Sequence, residues 1–80
     1  METLKELIAR VLGMNKEDIN DNSSPENISS WDSFNSLMLI SELEKNFNVK
    51  FTMEEVTSVT KVADIRNCLK KHGVKEKLGE

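Results

Sequence analysis

The stretch Trp31-Asp32-Ser33-Phe34-Asn35-Ser36-Leu37-Met38-Leu39-Ile40-Ser41-Glu42-Leu43-Glu44-Lys45-Asn46-Phe47 decides the fold of this 80-residue chain. Asp32 is a good N-cap, because its short carboxylate can accept from the free N–H groups of a first helical turn. With Phe34 set at 0° and each residue advancing by about 100°, Leu39, Leu43, Phe47 and Ile40 fall at roughly 140°, 180°, 220° and 240°. That is one core-facing stripe. It predicts a helix capped by Asp32 and running to about Phe47, with Asn46 and Asn48 as stop signals. Leu37, Phe34 and Met38 fall at roughly 300°, 0° and 40°, on the opposite side and within the first turn or so. A domain of this size cannot bury both faces of one helix. The spacing therefore predicts an apolar patch at the helix N-terminus, a contact surface unless the preceding loop folds over it.

Ser33 stands at the first helical position beside this patch. A helix N-terminus presents unpaired N–H groups and about half a unit of positive charge. A phosphate ester on the Ser33 hydroxyl would be welcome there. Asp32 could cap the helix, or help hold a divalent metal while such a phosphate is transferred. Taken alone, Ser33 reads as an ordinary polar residue at a helix start; the neighbouring patch gives it functional weight.

Working outward, Leu4, Leu7, Ile8, Val11 and Leu12 form an apolar stripe with Thr3 and Glu6 as a capping box and Gly13 as a C-cap. From Met14 to Trp31 the periodicity fails, and Asp21-Asn22-Ser23-Ser24-Pro25 is turn chemistry. Ile19, Ile28 and Trp31 are isolated apolar anchors that would pin this long connection to the core. Thr52-Met53-Glu54-Glu55 is a second capping-box pattern, opening a short helix that ends near Thr57. Thr60 can cap a last helix carrying Val62, Ile65 and Leu69, which closes at His72-Gly73. The expected fold class is all-α: a small four-helix bundle with a long loop between helices 1 and 2 and a short third helix. Its domain spans 1–72, with 73–80 a frayed tail.

Composition narrows the function. A chain this short buries only about 60–65% of the surface its unfolded form exposes, so its core is thin and a cleft of its own is hard to build. Fourteen acidic against eleven basic residues disfavour nucleic acid. One Cys and one His make neither a disulfide nor a zinc site, and no metal site or catalytic set is expected. No apolar run approaches a membrane span, and the N-terminus lacks a signal-peptide stretch. The expectation is a cytoplasmic, monomeric, non-enzymatic module acting with larger partners. Cys68, one step off the last helix's stripe, reads as packing, and His72 as a helix-end residue. Met14 and Met53 are open between core and surface.

Trp31-Asp32-Ser33-Phe34 at the head of this helix resembles the modification site of the acyl carrier protein family, Asp-Ser-Leu followed by a helix ending Leu-Glu-Glu-Glu-Phe-Gly-Ile. Leu43-Glu44-Lys45-Asn46-Phe47-Asn48-Val49 is similar to that ending at the same distance from the serine. Leu12-Gly13-Met14-Asn15-Lys16-Glu17-Asp18-Ile19 and Val59-Thr60-Lys61-Val62-Ala63-Asp64-Ile65 extend the likeness from about Leu4 to Leu69. The resemblance implies that Ser33, with Asp32 as its motif partner, receives 4′-phosphopantetheine from coenzyme A through a magnesium-using phosphopantetheinyl transferase. Acyl groups would then ride as thioesters on the arm, loaded by an acyl or aminoacyl ligase and consumed by a ketosynthase or acyltransferase. It also implies docking through Phe34, Leu37, Met38, Glu42, Glu54 and Glu55, and an acyl cavity walled by residues such as Leu39, Ile40, Leu43, Phe47, Phe51, Val59 and Val62.

The departures are informative. Carriers of primary fatty acid synthesis commonly have acidic residues two and five positions after the serine; here these are Asn35 and Met38. Residues 1–68 hold 12 acidic and 7 basic groups, a balance of −5, yet little of it lies at the start of this helix. With Trp31 before Asp-Ser, this looks like a stand-alone carrier of a dedicated lipid or polyketide-type pathway, or of surface-polysaccharide acylation. An aminoacyl or peptidyl carrier using the same serine is the close alternative, and an unmodified helical adaptor a more distant one.

Overall fold

A computed structural model describes residues 2–74. The chain forms helices α1 (Leu4–Leu12), α2 (Ser33–Phe47), α3 (Met53–Ser58) and α4 (Val62–Lys71), with one turn of 3₁₀-helix at Lys16–Asp18 inside the long connection. Among the described residues there is no strand. The all-α bundle with a short third helix is what the apolar spacing predicts; the 3₁₀ turn, with no buried residue, left no periodic trace.

Each helix end follows from local chemistry. In α1, Glu6 N–H donates to Thr3 Oγ1 (3.2 Å) and Thr3 N–H donates back to Glu6 Oε1 (3.0 Å), a complete capping box. Gly13 closes α1 at φ 69°, where an L side chain would be strained although the space around it is open. Asn48 ends α2 in the same left-handed region at φ 56°. Asn46, expected as a stop signal, stays inside the helix and donates its amide to Glu42 O (3.2 Å).

The start of α4 differs from expectation. Lys61, not Thr60, is the N-cap residue, and its side chain makes no capping bond. Thr60 N–H and Oγ1–H both donate to Asp64 Oδ2, at 3.0 and 2.7 Å, so the acid on α4 holds the threonine rather than the reverse. The free N–H groups of Val62 and Ala63 are taken by Ser23 O (3.0 Å) and Asp21 O (3.1 Å) of the long connection. A loop carbonyl thus does the work of a cap. Arg66 on α4 reaches back to Asp21 Oδ1 (3.1 Å), and Ser23, buried, accepts from Asn20 N–H.

One core unites these elements. Leu4, Leu7, Ile8, Ala9 and Leu12 of α1 pack with Leu39, Leu43 and Phe47 of α2 and with Val62, Ile65 and Leu69 of α4. Ile19, Ile28 and Trp31 of the connection are buried among them, as three isolated anchors should be. Ile40, Phe51 and Val59 are half-buried around the edge, and Met14 packs there too. Val74 N–H donates to Leu69 O (3.0 Å) and its side chain packs on the core. Residues 75–80, where the rest of the expected frayed tail falls, lie outside the described residues.

Helix α3 has no buried residue, and polar contacts hold its start. Glu55 N–H donates to Thr52 Oγ1 (3.1 Å) and Thr52 N–H to Glu55 Oε1 (2.8 Å). His72 Nε2, at the end of α4, lies 3.0 Å from both oxygens of the same carboxylate, and its ring meets Phe51 edge-on at 5.6 Å. Nothing in the local sequence links residues 55 and 72, so this clasp is visible only in three dimensions. The Thr52 N–H first, and His72 second, hold the Glu55 carboxyl below its ordinary range. Because the folded value is the lower one, this contribution is present above the unfolded value of about 4.3 and is lost as pH falls through the folded value. Wild type should therefore melt above Glu55→Gln at pH 7, and the gap should narrow as the pH falls below the unfolded value. A gap that persists unchanged at pH 3 would show that the Glu55 charge is not its source.

Candidate functional site

The site is the N-terminus of α2. Asp32 caps it: Asn35 N–H donates to Asp32 Oδ1 (2.9 Å) and Ser36 N–H to Asp32 O (2.8 Å). Asn35 in turn donates its side-chain amide to Ser30 O (2.7 Å), fixing the loop just before the site. In the sequence Asn35 stands out only as a departure from the acidic pattern, although an amide at the third helical position is within reach of the backbone preceding the cap. Buried Trp31 anchors the same loop from below, with its N–H on Ile28 O (3.1 Å).

Ser33 follows the cap as the first helical residue, and it is exposed. The N–H groups of Ser33 and Phe34 begin the helix and have no acceptor within it. The start of a helix carries positive backbone character, which suits a phosphate ester on the Ser33 hydroxyl. This arrangement fits a covalently attached phosphopantetheine. Among the described residues no group of three or more His, Cys, Asp or Glu side chains could hold a metal ion.

The apolar patch is open. Phe34 is 70% exposed, Leu37 66% and Met38 41%, so the long connection packs under α2 and α4 instead of folding over it. Met53, at the start of α3, is 78% exposed, which answers the question its lone position left open.

The acidic residues expected to join this surface are disposed differently. Glu42 Oε1 accepts from Arg10 Nη2 (2.9 Å), and Arg10 also binds Glu2 through Nε (2.7 Å) and Nη2 (2.8 Å). Those two carboxylates raise the Arg10 guanidinium above its ordinary range. The pair ties α1 to α2 and contributes little stability at an exposed site. Glu55 is committed to its capping box and to His72, and only Glu54 of the three is exposed. Cys68 is half-buried, and burial pushes its thiol up, away from reactivity.

Behind the site is a small apolar cavity of about 60 Å³. It is lined by Trp31 of the connection, Leu39 and Ile40 of α2, Val56 of α3, Val59 just beyond it and Ile65 of α4.

Residues 2–69 of the chain match the family described as "Phosphopantetheine attachment site". No curated protein matches the chain. Among the described residues no helix is long and apolar enough to cross a membrane.

Proposed function

The chain belongs to the phosphopantetheine-attachment family of carrier domains, and on that premise we propose that Ser33 bears the arm and that acyl groups are its cargo. The observation that carries this reading is Ser33 itself: an exposed hydroxyl at the capped N-terminus of α2, beside an uncovered apolar patch. Its Oγ forms the phosphoester as the pyrophosphate bond of coenzyme A breaks. The hydroxyl proton is lost, and adenosine 3′,5′-bisphosphate leaves. The arm supplies a thiol for thioester chemistry; the protein supplies attachment, presentation and recognition, and is not itself an enzyme. Its working place is the cytosol, where its cysteine stays reduced.

Partners are a phosphopantetheinyl transferase, a loading ligase and an acyl-consuming ketosynthase or acyltransferase. They dock on Phe34, Leu37 and Met38, with the exposed Glu54 of α3 as a further docking charge. An apolar patch in place of acidic residues favours a dedicated pathway, because burial of these side chains depends on shape more than on salt-sensitive steering.

Two measurements test this. Incubated with coenzyme A, magnesium and a promiscuous phosphopantetheinyl transferase, the chain should gain the mass of one arm; no gain would end the carrier reading. Met38→Glu should reduce acylation by the cognate enzyme at least tenfold, at a cost in stability within about 0.5 kcal/mol. Unchanged acylation would remove Met38 from the docking face.

A further inference from the structure

The cavity behind α2 bears on how large a cargo the domain can shelter, given Ser33 as the point of attachment. At about 100° per residue, Ser33 falls near 260° on α2, beside Ile40 at 240° and Ser36 at 200°. Ser36 and Ile40 both line the cavity. An arm on Ser33 therefore leaves along the helix face that leads to it, with Ser36 about 4.5 Å and Ile40 about 10 Å further along the axis.

The cavity is small for a hydrocarbon. At about 60 Å³ it is well short of the ~150 Å³ that admits benzene, so only a short hydrocarbon fits. Trp31 is the bulkiest residue lining it. Its indole is 4% exposed and forms the loop-side wall, and its backbone is pinned to Ile28, itself buried. Val56 of α3 and Val59 just beyond it line the cavity as well, and both side chains are smaller than the indole. Space for a longer chain must be won against the indole. The neighbouring hollow of about 570 Å³ shares Pro25 and Val59 with the cavity, but the rest of its lining, Asn22, Ser24, Glu26, Asn27, Thr60 and Lys61, is polar and suits a hydrocarbon poorly.

We propose that Trp31 sets the cargo length: acyl groups of about four carbons or fewer are sheltered, and longer chains meet the indole and stay outside. The full chain, loaded from acetyl-, butyryl-, octanoyl- and dodecanoyl-coenzyme A by a promiscuous transferase, tests this. Intact mass reports loading; melting temperature and the methyl NMR shifts of Val56, Val59 and Ile65 report entry. In wild type, butyryl should move these methyls and raise the melting temperature over acetyl, with no further change at octanoyl or dodecanoyl. In Trp31→Leu, octanoyl should raise the melting temperature by several degrees over that variant's own butyryl form. Trp31→Phe, a smaller cut, replaces it if Trp31→Leu does not fold. An octanoyl chain that further shifts Ile65 and stabilises wild type would overturn the role of Trp31, as would a variant with the wild-type length dependence. Absence of any adduct instead overturns the carrier reading beneath it.

Discussion

Ser33→Ala is expected to take up no phosphopantetheine under conditions that convert wild type fully, while keeping its fold. The substitution removes one hydroxyl from an exposed side chain, and alanine suits a first helical position. The cap survives, since the Asn35 N–H to Asp32 Oδ1 bond involves no atom of residue 33. Stability should therefore stay within about 0.5 kcal/mol of wild type, which a thermal melt resolves. Two of the other hydroxyls are poor substitutes. Ser23 is buried against Asn20 N–H, and Ser36 is half-buried against the cavity. Residual loading of the variant, with its melt unchanged, would mean that another hydroxyl is the acceptor.

Leu43→Ala should nearly unfold the domain. Leu43 is fully buried at the centre of the α2 stripe, in the core that α2 shares with α1 and α4. Truncating such a leucine costs about 3–5 kcal/mol. A chain of this length has a total of only about 4–12 kcal/mol. The melting temperature should fall by roughly 12–40 °C, at 4–8 °C per kcal/mol for a small domain. Leu37→Ala, on the opposite face and 66% exposed, should move it by no more than a few degrees. The same chemical change on two faces of one helix thus separates core from docking surface, and equal losses would contradict the two-faced description of α2.

That description was legible from residue spacing alone. The stripe of Leu39, Leu43 and Phe47 is buried, and the opposed Phe34, Leu37 and Met38 are exposed. Capping boxes at Thr3 and Thr52 and the Asp32 cap were equally readable, because each is a bond over three residues. What escaped was long-range. Thr60 looked like a cap because its residue type fits, but the turn at Asp21–Ser23 supplies the acceptors for α4 from about forty residues away. Glu42 and Glu55 looked available for docking until Arg10 and His72 were found beside them. The size of the cavity depends on where the Trp31 indole packs, and no periodicity reports that.

The most direct measurement is where the arm sits. After loading, trypsin should release a peptide from Glu17 to Lys45 that contains seven serines, at positions 23, 24, 29, 30, 33, 36 and 41. Fragmentation mass spectrometry of this peptide should place the phosphopantetheine on Ser33 alone. An adduct on any other serine, or a peptide that stays unmodified, would contradict the assignment of the α2 N-terminus as the attachment site.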